Sequence, residues 1–233
     1  MIMFELTRVR YQRMRKRFAK RKYTPSTFAE YLRSCGAQVG EGCFIASMDL
    51  ENGIEPYLLK IGNHVAIAAE VSVMTHDGAA WVFRDQACDL QVFGPVVIDD
   101  NCFIGYRAMI CPNVRIGPNS IVGAGSVVIS DVPANTLVMG VPARPFGSVE
   151  RYREKCLERW AEQRPGKVVI EPGETWWNSR HFSANRELLR CHLLNVFRHQ
   201  LSSSPTGSPS LRPDGPVQVE SSCAQQSGCS LPR

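Results

Sequence analysis

The chain carries five histidines, and their settings decide which of them could move a proton. Imidazole, with a free pKa of about 6.5, both takes and returns a proton near neutrality. His76 stands in the string Val73-Met74-Thr75-His76-Asp77-Gly78. Three residues after Val73, it falls on the outer face of a strand at the mouth of a long loop, where a base would meet a substrate. His64, His181, His192 and His199 have no such setting and read as surface histidines. A base needs an orienter on its other ring nitrogen. Asp77 is adjacent, but neighbours in a strand point to opposite sides, so Asp77 either serves His76 or caps the turn from which the loop departs. Asp49, Glu55, Glu70 and a backbone carbonyl are the other candidates.

The elements that must hold His76 are set by a period of six. Ile98, Ile104, Ile110, Ile116, Val122 and Val128 recur at every sixth position, each followed four residues later by Cys102, Ala108, Val114, Ser120, Ser126 and Val132. Such hexapeptide repeats predict a β-helix, an all-β solenoid of short strands and tight corners whose coils stack about 4.8 Å apart. Val and Ile fill the prism; Ala, Ser and Cys fit where its walls come close, which leaves Cys102 no reactive role. Gly105, Gly117 and Gly123 suit corners needing φ > 0 or no Cβ. Coils of eighteen residues should stack Tyr106, Ala124 and Pro142 in one column. The pattern starts at Val39-Gly40 and Ile45-Ala46, falters over 49–60, resumes at Ile61, Ile67 and Val73, and breaks where Asp77 takes the place of a small inward residue. It then gives way to a loop over 78–96. Long loops of this kind generally carry function.

At 233 residues with 44% hydrophobic content, the chain can bury one sizeable core. The expected organisation is a basic helical segment over 1–36, the solenoid over 37–146, a helix over 147–165, a mixed extension over 166–201 and a disordered tail over 202–233. The N-terminal segment breaks at Thr24-Pro25, with a second short helix through Phe28, Tyr31 and Leu32. Val149, Tyr152, Cys156, Leu157 and Trp160 take helical spacing and should pack on or beside the prism. A further helix is expected from about Asn185 to His199. Nine scattered cysteines without a CxxC pair argue against a disulfide framework and a structural zinc site, and for a reducing cytoplasm. No apolar run approaches a membrane span, and Met1 to Glu5 does not open a secretory signal. The net charge of +5 is concentrated between Arg8 and Lys22. That run reads as a solvated face, or as a surface for anionic lipid head groups or a phosphate-bearing substrate; no nucleic-acid recognition motif accompanies it.

Residues 39–145 resemble the left-handed parallel β-helix hexapeptide-repeat acyltransferases. The strings Glu55-Pro56-Tyr57-Leu58-Leu59-Lys60-Ile61-Gly62 and Val73-Met74-Thr75-His76-Asp77-Gly78, with Gly140-Val141-Pro142-Ala143-Arg144, resemble bacterial O-acetyltransferases of sugars and surface polysaccharides. The resemblance implies a homotrimer with active sites between subunits, acetyl-CoA as acyl donor and no metal. It implies His76 as general base, taking the proton of an acceptor hydroxyl and handing one to the departing thiolate, with Asp77 as a candidate partner. Backbone N–H groups at a corner can receive the oxyanion. By the same resemblance, Gly123, Ala124 and Gly125 contact the pantetheine arm with Tyr106 stacked nearby, and Arg144 meets phosphate. Many relatives carry Thr-Lys where this chain has Ile129-Ser130, so one phosphate contact is missing or passes to Arg107 or Arg115. For the carbohydrate acceptor, Trp81 and Phe83 suit stacking, while Arg84 and Asp85 suit hydrogen bonding; alternatively Trp81, Phe83 and Phe93 anchor the loop on a neighbouring subunit. The rival readings are an N-acyltransferase of an amino sugar and a non-catalytic β-helix assembly protein. A γ-type carbonic anhydrase is disfavoured, because of the three histidine ligands it needs the coils offer only His64 and His76.

Overall fold

Isoleucine and valine at every sixth position, with small residues four places on, share one parity and so face one side of the chain; a corner after each strand turns that side inward on three walls, and one core takes them all. The computed structural model describes residues 22–48, 50, 55–172 and 179–198 and shows this left-handed parallel β-helix. Its strands are β1 (Gln38–Val39), β2 (Phe44–Ile45), β3 (Leu59–Ile61), β4 (Ala66–Ile67), β5 (Ser72–Val73), β6 (Val96–Ile98), β7 (Phe103–Ile104), β8 (Met109–Ile110), β9 (Val114–Ile116), β10 (Ile121–Val122), β11 (Val127–Val128), β12 (Thr136–Met139) and β13 (Arg144–Ser148). They form three walls, in the orders β1-β3-β6-β9, β13-β12-β10-β7-β4-β2 and β11-β8-β5. The pairings between these strands are parallel except β12 with β13, which closes the second wall as an antiparallel edge, and an isolated antiparallel bridge joins His76 to Phe93.

The register stacks like on like. Ile61, Ile98 and Ile116 align on one wall, Ile45, Ile67, Ile104, Val122 and Val138 on the second, and Val73, Ile110 and Val128 on the third. Each is at most 3% exposed, and burying one such side chain is worth about 1.5–3 kcal/mol. The small companions are buried as the spacing predicts, and their polar atoms serve the neighbouring coil. The Cys102 thiol donates to the Gly117 carbonyl at 3.2 Å, and the Ser120 hydroxyl to that of Pro133 at 2.8 Å. Burial pushes the Cys43 and Cys102 thiols above their ordinary value, as inert structural thiols require.

Of the two uses that the sequence left open for Gly105, Gly117 and Gly123, positive φ is not theirs; that conformation falls two positions later, on Arg107 (φ 57°), Asn119 (φ 56°) and Gly125 (φ 68°). The glycines are there because the next coil passes too close, a Cβ on Gly105 coming within 2.5 Å of the Ala124 nitrogen. The last coil is also shorter than eighteen residues. Val132 aligns with Ile116 and Val138 with Val122, so the register carries Ala124 toward Gly140, and Pro142 leaves the predicted column. Tyr106 and Ala124 keep theirs, the Gly125 N–H donating to the Tyr106 carbonyl at 2.7 Å.

The described chain divides into two compact units, Met1–Glu162 and Gln163–Arg233. In the first, helix α1 (Phe28–Ser34) plugs the end of the prism with Phe28, Ala29, Tyr31 and Leu32. Its Arg33 guanidinium donates to the carbonyls of Val39 at 2.7 Å and Gly40 at 2.6 Å. The helix expected before Thr24 and the basic run up to Arg21 lie outside the described residues, as does the tail from Ser202. Helix α2 (Val149–Gln163) forms where expected with none of its residues fully buried, and Tyr152 and Leu157 of its stripe stay exposed. In the second unit, α3 (Phe182–Val196) starts three residues before the expected position. The buried Asn185 side chain accepts from the Val169 N–H at 3.1 Å and donates to its carbonyl at 2.6 Å.

Candidate active site

Alternation continues past the end of β5, turning Thr75 into the core and His76 outward. Thr75 is fully buried, whereas the His76 side chain is 42% exposed. There the chain leaves the prism, and the two arms of the loop are tied together at their base. The Asp77 N–H donates to the Val92 carbonyl at 2.8 Å and the Gly94 N–H to that of Thr75 at 2.9 Å, while the edge of Phe93 meets His76 with ring centroids 6.5 Å apart. The imidazole therefore sits at the junction of a rigid wall and an excursion.

Its partner comes from the segment before β3. Glu55 Oε2 lies 3.3 Å from His76 Nδ1. The same oxygen accepts the Thr75 hydroxyl at 2.5 Å, and that hydroxyl accepts the Glu55 backbone N–H at 2.6 Å. Partial burial of Glu55 tends to raise its pKa, but the hydrogen bonds from Thr75 and His76 outweigh it and hold the carboxyl below its ordinary value. A carboxylate only accepts, so in the neutral imidazole this contact calls for the hydrogen on Nδ1, which leaves the lone pair on Nε2. Asp77, the adjacent candidate, turns away from His76. Exposed and not inward-facing, it accepts the Ala79 N–H at 2.8 Å and caps the 3-10 turn Gly78–Phe83. Of the alternatives that the sequence left open, the carboxylate facing the ring is Glu55.

Trp81, Phe83 and Arg84 lie together on the loop. Trp81 is 71% exposed, and the Arg84 guanidinium rests 5.1 Å from its ring centroid while donating to the Trp81 carbonyl at 3.1 Å. Tyr106 and the corner Gly123-Ala124-Gly125 are one coil apart on the same edge of the prism. The Tyr106 hydroxyl donates to Glu70, which also accepts Arg107 Nε at 2.6 Å; these bonds lower the Glu70 carboxyl and raise the Tyr106 phenol. Arg115 is held bidentately by Asp99 at 2.8 and 3.0 Å. Arg107 and Arg115, the substitutes suggested for a missing phosphate contact, thus already face carboxylates. Arg144, on β13, bonds the carbonyl of Ala143 at 3.0 Å, and no carboxylate among the described residues lies within ion-pair distance of it. Among the described residues, no three His, Cys, Asp or Glu side chains converge in a way that could hold a metal.

Two grooves, of about 540 and 370 Å³, run along the wall of β1 and β3 and beside Arg115 and Asp131, and His76 lines neither. Thr75 is the residue of the site that the sequence reading passed over. Two positions after the inward Val73, it stands where the regular coils carry exposed corner residues such as Tyr106 and Ala124, so the repeat gave no sign that it would be buried.

Residues 95–130 match the family described as Bacterial transferase hexapeptide (six repeats). The chain is 46% identical over 128 residues to Protein CapG of Staphylococcus aureus, covering 54% of this chain and 74% of that protein. It belongs to the hexapeptide-repeat acyltransferase family. It is also 35% identical over 91 residues to the galactoside O-acetyltransferase of Escherichia coli strain K12, covering 39% of this chain and 44% of that one. Over 64 residues it is 50% identical to the 2,3,4,5-tetrahydropyridine-2,6-dicarboxylate N-acetyltransferase of Staphylococcus aureus strain bovine RF122, covering 28% and 27% of the two chains. It thus spans under half the length of both named acetyltransferases. No described helix is long and apolar enough to cross a membrane.

Proposed function

We propose that this chain is an acetyl-CoA-dependent O-acetyltransferase, acting on a hydroxyl of a sugar or of a cell-surface polysaccharide precursor, with His76 as general base. The observation that carries the reading is an exposed imidazole at the mouth of a loop, its Nδ1 facing the Glu55 carboxylate at 3.3 Å and its Nε2 free to accept a proton. A sugar hydroxyl is hardly ionised at neutral pH, so attack on a thioester needs such a base. Nε2 takes the proton as the hydroxyl oxygen bonds to the acyl carbon; Glu55 stabilises the resulting imidazolium; the proton passes to sulfur as the C–S bond breaks. The acceptor receives the acetyl group, and the donor leaves as a thiol.

Supporting positions surround this centre. Arg144, which pairs with no carboxylate among the described residues, suits the phosphorylated end of the donor, and Tyr106 with the backbone of Gly123, Ala124 and Gly125 suits its pantetheine arm. Trp81 and Phe83 offer exposed rings to a sugar face, with Arg84 beside them for hydroxyl or carboxylate oxygens. The exposed apolar side chains of Phe44, Phe103 and Met109 on the prism walls suit a site completed by a neighbouring copy in a homotrimer. We place the protein with its donor in the cytoplasm.

The test is to incubate the purified chain with acetyl-CoA and a panel of sugars, following thiol release and the product. An acetyl group lost under mild alkali is the expected ester. An alkali-stable amide on amino sugars would favour N-transfer, the second reading, which the matched N-acetyltransferase supports.

A further inference from the structure

The buried hydroxyls of the prism have a common task, and one of them departs from it. Ser47 donates to the Val71 carbonyl at 2.8 Å, Ser120 to that of Pro133 at 2.8 Å, and Ser126 accepts the Gly140 N–H at 3.2 Å. Each ties side chain to backbone in a neighbouring coil, as a small polar residue at a tight corner should. Thr75, fully buried like Ser120 and Ser126, instead gives its proton to a side-chain carboxylate.

The geometry of that contact is closed on itself. Thr75 Oγ1 accepts the Glu55 N–H at 2.6 Å and donates to Glu55 Oε2 at 2.5 Å, so one hydroxyl grips both ends of a residue twenty positions away. A β-branched side chain in a strand has few rotamers, so the hydroxyl is itself fixed. The oxygen it holds is the one that faces His76 Nδ1, reached by Thr75 from the core and by His76 from the solvent side. A free glutamate side chain has three rotatable bonds; this one is left with a single useful arrangement. For the core alone, valine would fill the same space.

We infer that Thr75 is a positioning residue, whose hydroxyl sets the Glu55 carboxylate against His76 Nδ1 and so keeps the Nε2 lone pair directed at the acceptor. The inference rests on the reading of His76 as base. Thr75 touches no reacting atom in this scheme; it acts through Glu55.

The experiment is a double-mutant cycle on the full chain, with kcat and KM for donor and acceptor measured as functions of pH. Thr75→Val should lower kcat roughly tenfold with little change in either KM, since transition-state positioning is lost and binding is not. Thr75→Ser, which restores the hydroxyl, should recover most of it. In a Glu55→Gln background, Thr75→Val should cost less than about twofold more, because its route of action is already gone. The acid limb of the pH profile should also move upward in Thr75→Val. Glu55 works as the anion; losing a donor raises its pKa; and the group facing it among the described residues, His76, then loses its partner at a higher pH. If Thr75→Val and Thr75→Ser are equally impaired, or if the loss is as large beside Glu55→Gln as beside Glu55, Thr75 is a packing residue and the inference falls. Should Thr75→Val not fold, Thr75→Cys gives the second hydroxyl-poor variant for the same cycle. The nitrogen resonances of His76, read without substrate, separate this failure from that of the base assignment. A smaller share of Nδ1–H tautomer in Thr75→Val supports positioning even if His76→Ala stays active, and an unchanged share overturns it.

Discussion

At the scale of single residues, the site is an imidazole, a carboxylate and a hydroxyl from two segments that are distant in sequence. His76 was legible because counting from Val73 puts it outward, and of the two roles the sequence left open for Asp77 the turn cap is the one made. Glu55 was visible only as one carboxylate among several, since nothing in the faltering stretch before β3 says where the chain crosses the coil. Glu55→Gln keeps the shape but weakens the hold on Nδ1–H; we expect kcat to fall roughly tenfold or more, with KM nearly unchanged, in steady-state assays. The lowered Glu55 pKa also fixes a sign. A carboxyl depressed in the folded state adds stability above its ordinary value of about 4.3, and that stability is lost as pH falls through the depressed value. The melting temperatures of wild type and Glu55→Gln should therefore differ at pH 6 and converge as the pH drops below about 4. A gap that widens toward acid would reverse the assignment.

At the scale of elements, the six-residue period was readable because burial repeats with the coil, and the wall register bears this out from Ile45 to Val128. The shortened last coil was not readable, since Val128 to Val132 has the same spacing as the inward pairs before it and only the pairing with Ile116 shows that it belongs to the next wall. Two substitutions separate packing from corner geometry. Ile104→Ala empties a fully buried position on the central wall and should cost roughly 2–5 kcal/mol in denaturant unfolding. Gly105→Ala adds one methyl, but against the backbone nitrogen of Ala124, which cannot swing aside; about 1–3 kcal/mol is expected. If Gly105→Ala is neutral, the coils are not held as closely as their stacking implies.

At the scale of the whole molecule, the three walls differ on the outside. The wall of β1, β3, β6 and β9 presents Gln38, Lys60, Val97 and Arg115, whereas the others expose Phe44, Phe103 and Met109. Exposed apolar side chains aligned along a rigid wall suit contact with another protein surface. Under the trimer proposal, the wild-type chain should sediment at about three times 26.0 kDa, and Phe103→Glu should sediment as a monomer with reduced turnover. Helix α2, whose Tyr152 and Leu157 stay exposed, shows why this scale is hardest to read: an amphipathic pattern suits a face to being covered, and does not say by what. The account as a whole stands on His76, and the most direct measurement is the turnover of His76→Ala with acetyl-CoA and a sugar acceptor. A loss of about 10²–10⁴-fold in kcat, with a folded protein and nearly unchanged KM for the donor, is the result predicted for a general base. Turnover equal to that of the wild type would contradict it.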